Sequence, residues 1–177
     1  MKQILATIMV LASLGALSGL AQNDRFPALA KAGTDMVRDQ PNMGIALCAL
    51  KKAREHLQAA TADKAGRRVE ALQAVDGAID EACRAVAYAR DNKEGKFSPP
   101  AAFREITVAS FEGLTKEGTQ RNPGQPNMGT AYVALDQALE YLRKAEADKG
   151  GHRVKAVSLT ETARTEVQQG IELGKKN

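Results

Sequence analysis

The chain has 177 residues, with 25 Lys and Arg against 21 Asp and Glu, so its formal net charge is +4. Hydrophobic residues make up 44% of the chain and charged residues 26%, which is ordinary for a folded protein and excludes a disordered one. Aromatic residues are only 4% and Trp is missing, so Ala, Leu and Val must build the core, which favours closely packed helices over a β-sandwich. Two His and two Cys exclude a disulfide-dense scaffold and a zinc ribbon.

The N-terminal residues have the pattern of a secretory signal peptide. Lys2 precedes the apolar run ILATIMVLASLGALSGL, and Gly19 and Ala21 occupy the −3 and −1 positions of a cleavage before Gln22. The alternative is a retained membrane anchor, but the run has 17 residues, fewer than the roughly 20 that cross a bilayer. We therefore expect residues 1–21 to be removed and residues 22–177 to form a single helical domain.

Cleavage would place the protein in the periplasm or outside the cell, with no stable membrane insertion afterwards. Without Lys2 the remaining chain carries a formal charge of +3, which is too weakly basic to indicate a nucleic-acid partner.

The rest of the chain is predicted to be an internal duplication. Residues 41–92 align without a gap with residues 126–177 at an offset of 85, and 21 of the 52 positions are identical. Identical positions include Pro-Asn-Met-Gly and the pattern Asp-Lys-x-Gly-x-Arg-Val-x-Ala. We expect a first repeat over residues 26–92, a linker over 93–110 and a second repeat over 111–177. Two copies are too few for a solenoid, so we expect them to close on each other around a pseudo-two-fold axis.

Each repeat is predicted to be an antiparallel helical hairpin. Apolar residues recur at alternating steps of three and four, the period of an amphipathic helix. In the first helix of the first repeat they are Met43, Ala46, Leu50, Ala53, Leu57 and Ala60. After a break at residues 62–66, a second stripe runs through Val69, Leu72, Val75, Ile79, Ala82 and Val86. The second repeat has both stripes, starting at Met128 and Val154.

Polar residues before the stripes are the expected helix caps. Asn42 and Asn127 are predicted N-caps of the first helix of each hairpin, and Asp63 and Asp148 of the second. The predicted fold class is all-α, in which two duplicated antiparallel helical hairpins form a four-helix bundle. One or two short accessory helices are expected, over residues 27–38 and over 101–117, the latter ended by Gly118 and the Asn122-Pro123-Gly124 turn.

The two cysteines leave two alternatives open. Cys48 and Cys83 lie on the two helices of the first hairpin at nearly the same height, and two Cys in an exported protein favour a disulfide. At ~100° per residue, however, Cys48 points away from the apolar stripe of its helix. The other alternative is two separate thiols, with Cys48 partly covered by an accessory helix. The second repeat has Val133 and Gln168 at these positions, so a bridge would belong to the first repeat alone.

Basic residues cluster at both hairpin turns, here called the first tip (residues 62–69) and the second tip (residues 147–154). Free N–H groups at a helix N-terminus together with positive charge can bind an anion. The candidate anion ligands are Lys64, Arg67, Arg68, Lys149, His152 and Arg153. The alternative is a solvated turn in which Gly allows tight geometry and Arg reaches back to a carboxylate.

No pattern indicates a metal centre or a catalytic site. The chain lacks the Glu-x-x-His pairs of di-iron bundles, and Met43 and Met128 begin core stripes, so we predict no metal ligand and no cofactor. Neither Gly-x-Ser-x-Gly nor a phosphate-binding loop is present, so no catalytic residue is predicted and the protein is not expected to be an enzyme. The repeated Gln-Pro-Asn-Met-Gly has two interpretations: a linker, cap and first core residue, or two edges of a small ligand pocket.

The Pro-x-Met start, the Ala-Leu-x-x-Leu pattern and Asp-Lys-Gly-Gly-His-Arg at residues 148–153 resemble a helical-hairpin module of uncharacterised exported bacterial proteins. The resemblance covers residues 40–86 and 125–171 and implies an exported helical module without a known activity. The first copy departs from it at Ala65 and Arg67. We therefore predict a non-enzymatic exported helical-bundle protein that binds a partner protein or a small anionic ligand in the cell envelope. The alternative is a small periplasmic metal- or cofactor-binding bundle.

Overall fold

The computed structural model of the protein describes residues 25–61, 65–91, 111–147 and 150–175. Within these ranges the chain is all-α, with no strand, which confirms the predicted class. The helices are α1 (Pro27–Met36), α2 (Pro41–Ala59), α3 (Arg67–Asp91), α4 (Glu112–Arg121), α5 (Pro126–Lys144) and α6 (His152–Gly174). None of them combines the length and apolar composition that crossing a membrane requires.

Several predictions fall on residues outside the described ranges. These are the signal peptide at 1–21, the linker at 93–110, the caps Asp63 and Asp148, and the candidate ligands Lys64 and Lys149. They stay predictions.

The helix bounds repeat along the chain with the offset seen in the sequence. Both ends of α4 and α5, and the first residue of α6, are 85 positions beyond the corresponding residues of α1, α2 and α3. Each repeat therefore contributes one short helix and two long ones.

The second short helix differs from its prediction. It begins at Glu112 and continues through Gly118 to Arg121, and the expected residues 101–110 lie outside the described ranges. Gly118 does not end the helix. It lies where α4 crosses α5, and a Cβ on Gly118 would overlap the backbone of Thr130 in α5.

The long helices pack mainly between the repeats. The most extensive helix pairs are α3 with α6 and α2 with α5, and each joins one repeat to the other. The pairs α2–α3 and α5–α6 join the two helices of each hairpin, while α1 lies on α2 and α4 lies on α5. Each hairpin therefore buries more of its surface against the other hairpin than within itself.

Two asparagines show that α2 and α5 run antiparallel. Asn42 Nδ2 donates a hydrogen bond to the Lys144 carbonyl at 3.2 Å, and Asn127 Nδ2 donates to the Ala59 carbonyl at 3.0 Å. The start of each helix therefore meets the end of the other. Because a 19-residue helix is about 28 Å long, the two tips lie at opposite ends of this pair.

These contacts also correct the predicted N-caps. The N-cap positions are Gln40 and Gln125, neither of which makes a side-chain cap hydrogen bond. Asn42 and Asn127 lie inside the first turns of α2 and α5, and each donates a hydrogen bond to a carbonyl at the C-terminus of the other helix instead. Their short amides reach carbonyls that have no partner within their own helix.

The core extends around most of α2. Every residue from 43 to 50 is buried, because α1 covers the face that a stripe on one side would leave in water. The prediction that the second stripe begins with a buried valine is wrong in both repeats, because Val69 is 48% exposed and Val154 is 61% exposed. Helical spacing assigns a residue to a face of its helix. These two valines lie in the first turns of α3 and α6, where none of the described helices covers that face.

Candidate functional site at the hairpin tips

A glycine in the left-handed backbone region shapes each tip. Gly66 has φ 75° and Gly151 has φ 73°, a conformation that residues with a Cβ rarely adopt. Gly151 is the N-cap of α6, and the Gly66 carbonyl accepts hydrogen bonds from the backbone N–H groups of Val69 and Glu70 at 2.9 and 3.1 Å. The repeated Gly of the tips is therefore needed for the turn itself.

Arg68 and Arg153 close the helix that precedes each tip. Arg68 Nη1 donates to the Leu57 carbonyl at 3.3 Å, and Arg153 Nη1 donates to the Leu142 carbonyl at the same distance. Carbonyls in the last turn of a helix lack intrahelical partners, and a cation is favourable there. The prediction that an Arg reaches back agrees with these contacts, in which each arginine donates to a carbonyl of the preceding helix.

Arg67 joins the first tip to the second repeat. Its Nη1 lies 2.8 Å from Oε2 of Glu166 on α6 and 3.0 Å from Oε2 of Glu70 on α3. The hydrogen bond that Arg67 donates to Glu166 is the main cause of a raised pKa for the Arg67 guanidinium. Arg67 therefore stays charged and is bound by two carboxylates of the protein itself.

His152 makes the corresponding contact in the second tip. Its Nδ1 lies 2.7 Å from Oε2 of Glu81 on α3, and its ring is 6.1 Å from that of Tyr88. His152 and Glu81 occupy the positions that align with Arg67 and Glu166 at the offset of 85, so the two contacts are the same contact made in opposite directions. Sequence reasoning missed both carboxylates, because each lies on a helix of the other repeat.

The structure thus brings Arg67 next to Arg68, and His152 next to Arg153, but holds the two pairs at opposite ends of the molecule. All four side chains bind groups of the fold. Among the described residues of the tips, the large apolar side chains exposed to water are Val69 and Val154. Each tip therefore presents an apolar side chain next to an arginine.

Cys48 and Cys83 are both buried free thiols, so the structure has the second of the two predicted alternatives and no bridge. Burial raises the pKa of each thiol to about 12, because the thiolate would lose its hydration. Neither sulfur is a nucleophile at neutral pH.

The Gln, Asn, Met and Gly of the repeated Gln-Pro-Asn-Met-Gly pack against other helices or bind carbonyls of other helices. Gln40 Nε2 donates to the Val86 carbonyl at 3.3 Å, as Gln125 Nε2 does to the Ile171 carbonyl at 2.9 Å. Met43 is buried, and a Cβ on Gly44 would overlap the carbonyl oxygen of Gly33 in α1.

The two copies of this motif do not form one pocket, because they begin helices that run in opposite directions. The second copy alone borders a cavity of about 170 Å³. Its lining includes Thr61, Gly124, Asn127 and Met128.

His56 is a half-buried group that the sequence did not single out. Its Nδ1 donates to Oδ1 of Asn127 at 2.9 Å, since the Asn127 amide nitrogen is already donating to Ala59. Burial lowers the pKa of His56, and the nearby charge of Lys52 lowers it further. The ring is therefore neutral near pH 7, and its Nε2 is buried without a hydrogen-bond partner among the described residues.

In the part of the chain that the structure describes, no group of three or more His, Cys, Asp or Glu side chains could hold a metal ion. No family model, no curated protein and no solved structure matches the chain.

Proposed function

We propose that the protein is a non-enzymatic exported module that binds a partner protein of the cell envelope through its hairpin tips. The observation that carries this proposal is the exposure of the same valine in both tips, Val69 and Val154. A single exposed apolar residue means little on its own. Here two of the three large apolar side chains exposed in the described ranges occupy aligned positions, 85 residues apart, each next to an arginine.

A protein fits these tips better than a small anion. Arg67 is bound by two carboxylates, and Arg68 and Arg153 donate to helix carbonyls. An anion would have to compete with those contacts, whereas a partner surface can cover the valines and leave the arginines in place.

The proposed architecture is a four-helix bundle made of two duplicated hairpins, with α1 and α4 as accessory helices. The shared helix bounds support the duplication. The packing of α2 on α3 and α5, and of α6 on α3 and α5, supports the bundle, because each long helix then has two long neighbours.

Export to the periplasm or the cell exterior is part of the proposal and is supported by residues 1–21 and by the resemblance to exported helical-hairpin modules. The protein recovered from the cell exterior or periplasm should begin at Gln22, which intact-mass measurement reports directly. A chain that still begins at Met1 in the membrane fraction would contradict cleavage and favour the retained membrane anchor.

The experiment that tests the tips compares three forms of the chain as baits for envelope proteins. They are the wild type, the double variant Val69→Ser with Val154→Ser, and the control Gln73→Ser, which changes an exposed residue of α3 between Arg67 and Glu81, away from both tips. We expect the wild type and control to retain the same envelope protein, and the double variant to bind it about tenfold more weakly. Equal melting temperatures for all three would show that the loss is not one of folding.

Equal retention by the double variant would contradict the proposal. Titration of the wild type with inorganic phosphate tests the other partner class. A rise in melting temperature that the wild type shows and an Arg67→Gln variant lacks would favour a small anionic ligand instead.

A further inference from the structure

We propose that the surface by which the two hairpins hold each other also accepts a second copy of this chain, so that two chains exchange hairpins and form a dimer. Contacts between the hairpins carry this inference, because they occur in reciprocal pairs. Asn42 contacts Lys144, and Asn127 contacts Ala59. Adding 85 to one residue and subtracting 85 from its partner converts the first contact into the second.

The side-chain contacts on the other helix pair follow the same rule. Arg67 with Glu166 becomes His152 with Glu81 when the repeats are interchanged. Reciprocity of this kind is the property of an isologous interface, in which the same patch of two subunits faces itself across a two-fold axis. Hydrogen bonds and ion pairs on both helix pairs therefore specify how one hairpin is seated on another.

Packing gives the reason for association. The α3–α6 and α2–α5 pairs are more extensive than the pairs within a hairpin, so a hairpin that lacks its partner exposes the faces buried in these two pairs. A first hairpin can cover that surface with the second hairpin of its own chain or with that of another chain. The side-chain contacts are the same in either case.

The connection between the hairpins decides which chain supplies the partner. Two binding units joined in one chain typically meet at an effective concentration of about 1 mM. Refolding at ~10 µM protein should therefore give dimer in about one chain in a hundred, and refolding near ~1 mM in about half of the chains. The exchanged dimer should persist on dilution, because separation requires both interfaces to open.

Crosslinking of engineered cysteines distinguishes exchange from association of intact monomers. The test variant is Asn42→Cys with Lys144→Cys, whose two positions contact each other between hairpins. The control is Arg54→Cys with Asp76→Cys, which contact each other at 2.6 Å within the first hairpin. The native thiols are buried with pKa values of about 12, so a short bismaleimide should leave them unmodified in the folded protein.

Each variant is refolded under reducing conditions at low and high protein concentration, the dimer is isolated by size exclusion, and the crosslinker is added. We expect the test variant from the dimer fraction to run as a covalent dimer in denaturing gels, and from the monomer fraction as a single chain. The control should run as a single chain from both fractions.

Three results would overturn the proposal: a protein that stays monomeric at ~1 mM, a protein that only aggregates, or a dimer in which the test crosslink joins residues of one chain. If the test variant does not fold, Ala59→Cys with Asn127→Cys replaces it, because this pair makes the reciprocal contact.

Discussion

Single side chains close the ends of the long helices. Asn42 and Asn127 each donate to the C-terminal carbonyl of a helix in the other repeat, while Arg68 and Arg153 donate to carbonyls of the preceding helix in their own repeat. The last carbonyls of a helix have no partner within that helix, and an unpaired carbonyl is unfavourable when water is excluded. These four residues supply the missing donors, which the Ala side chains of the helices cannot do. The basic residues that the sequence offered as anion ligands thus have a role in stability.

Removing either arginine should lower the free energy of unfolding. Arg68→Ala and Arg153→Ala should each cost about 1–2 kcal/mol, because a helix C-terminus loses a charged donor. The matched control is Arg54→Ala, whose ion pair with Asp76 is exposed and should contribute less than about 1 kcal/mol. Urea unfolding measures all three. Costs no greater than that of the control would show that the tip arginines are not structural.

His56 should make stability depend on pH in a defined direction. Burial holds its pKa in the folded protein below 6.5, the value of an unburied histidine, so the unfolded chain binds more protons between those two values. The His56 contribution is complete above pH 6.5 and is lost as the pH falls through 6.5 toward the folded pKa.

The variant His56→Gln tests this, because it is neutral at every pH and keeps a donor for Asn127. The free energy of unfolding of the wild type minus that of the variant should decrease as the pH is lowered from 7.5 to 5. Subtraction removes the effect of His152, which both proteins contain. A difference that is constant or rises on acidification would mean that His56 is not buried as described.

The crossing of a short helix over a long one depends on paired glycines. A Cβ on Gly44 would overlap the carbonyl oxygen of Gly33, and a Cβ on Gly129 would overlap that of Gly118. Each short helix therefore approaches its long helix at the distance of backbone contact.

Gly44→Ala and Gly129→Ala should each destabilise the protein by about 2 kcal/mol or more, because a backbone oxygen has to be displaced. Gly124→Ala is the matched control: no atom lies within 4 Å of the added methyl group and the backbone conformation is ordinary, so stability should change by less than about 0.5 kcal/mol. Urea midpoints compare the three. A tolerated Gly44→Ala would mean that α1 does not cross α2 at this point.

The sequence predicted elements better than contacts. The 3.6-residue period and the offset of 85 placed α1, α2, α3, α5 and α6 to within a few residues, because amphipathic spacing depends only on local sequence. The sequence predicts a helix end at Gly118, since Gly is a common helix breaker, but α4 continues through Gly118, where α5 lies against it. Periodicity does not predict contacts between residues that are 71 to 102 positions apart, such as that of Asn42 with Lys144.

At the tips, sequence reasoning found the cations but not what they bind. Glu166 and Glu81 carry no local signal, because their partners lie on the other repeat. The exposure of Val69 and Val154 was missed because the apolar stripe continues into the first turn of α3 and α6, beyond the point where a neighbouring helix covers it. These two missed valines now carry the functional proposal.

At the scale of the described part of the molecule, the central feature is that the two hairpins lie head to tail. The start of α2 contacts the end of α5, and the start of α5 contacts the end of α2. This arrangement gives both tips the same chemistry and places them far apart, so one partner of small size cannot contact both at once. It also gives each hairpin a reciprocal surface that a second chain can satisfy.

The distance between the two tips tests this arrangement most directly. Spin labels on Thr61→Cys and Glu146→Cys would occupy exposed, aligned positions just before each tip, while the buried native thiols stay unlabelled. For head-to-tail hairpins, pulsed electron resonance should give a single narrow distance of about 30 Å, close to the length of α2. A main distance of about 15 Å or less, as expected if both tips shared one end at the usual spacing of packed helices, would contradict the account.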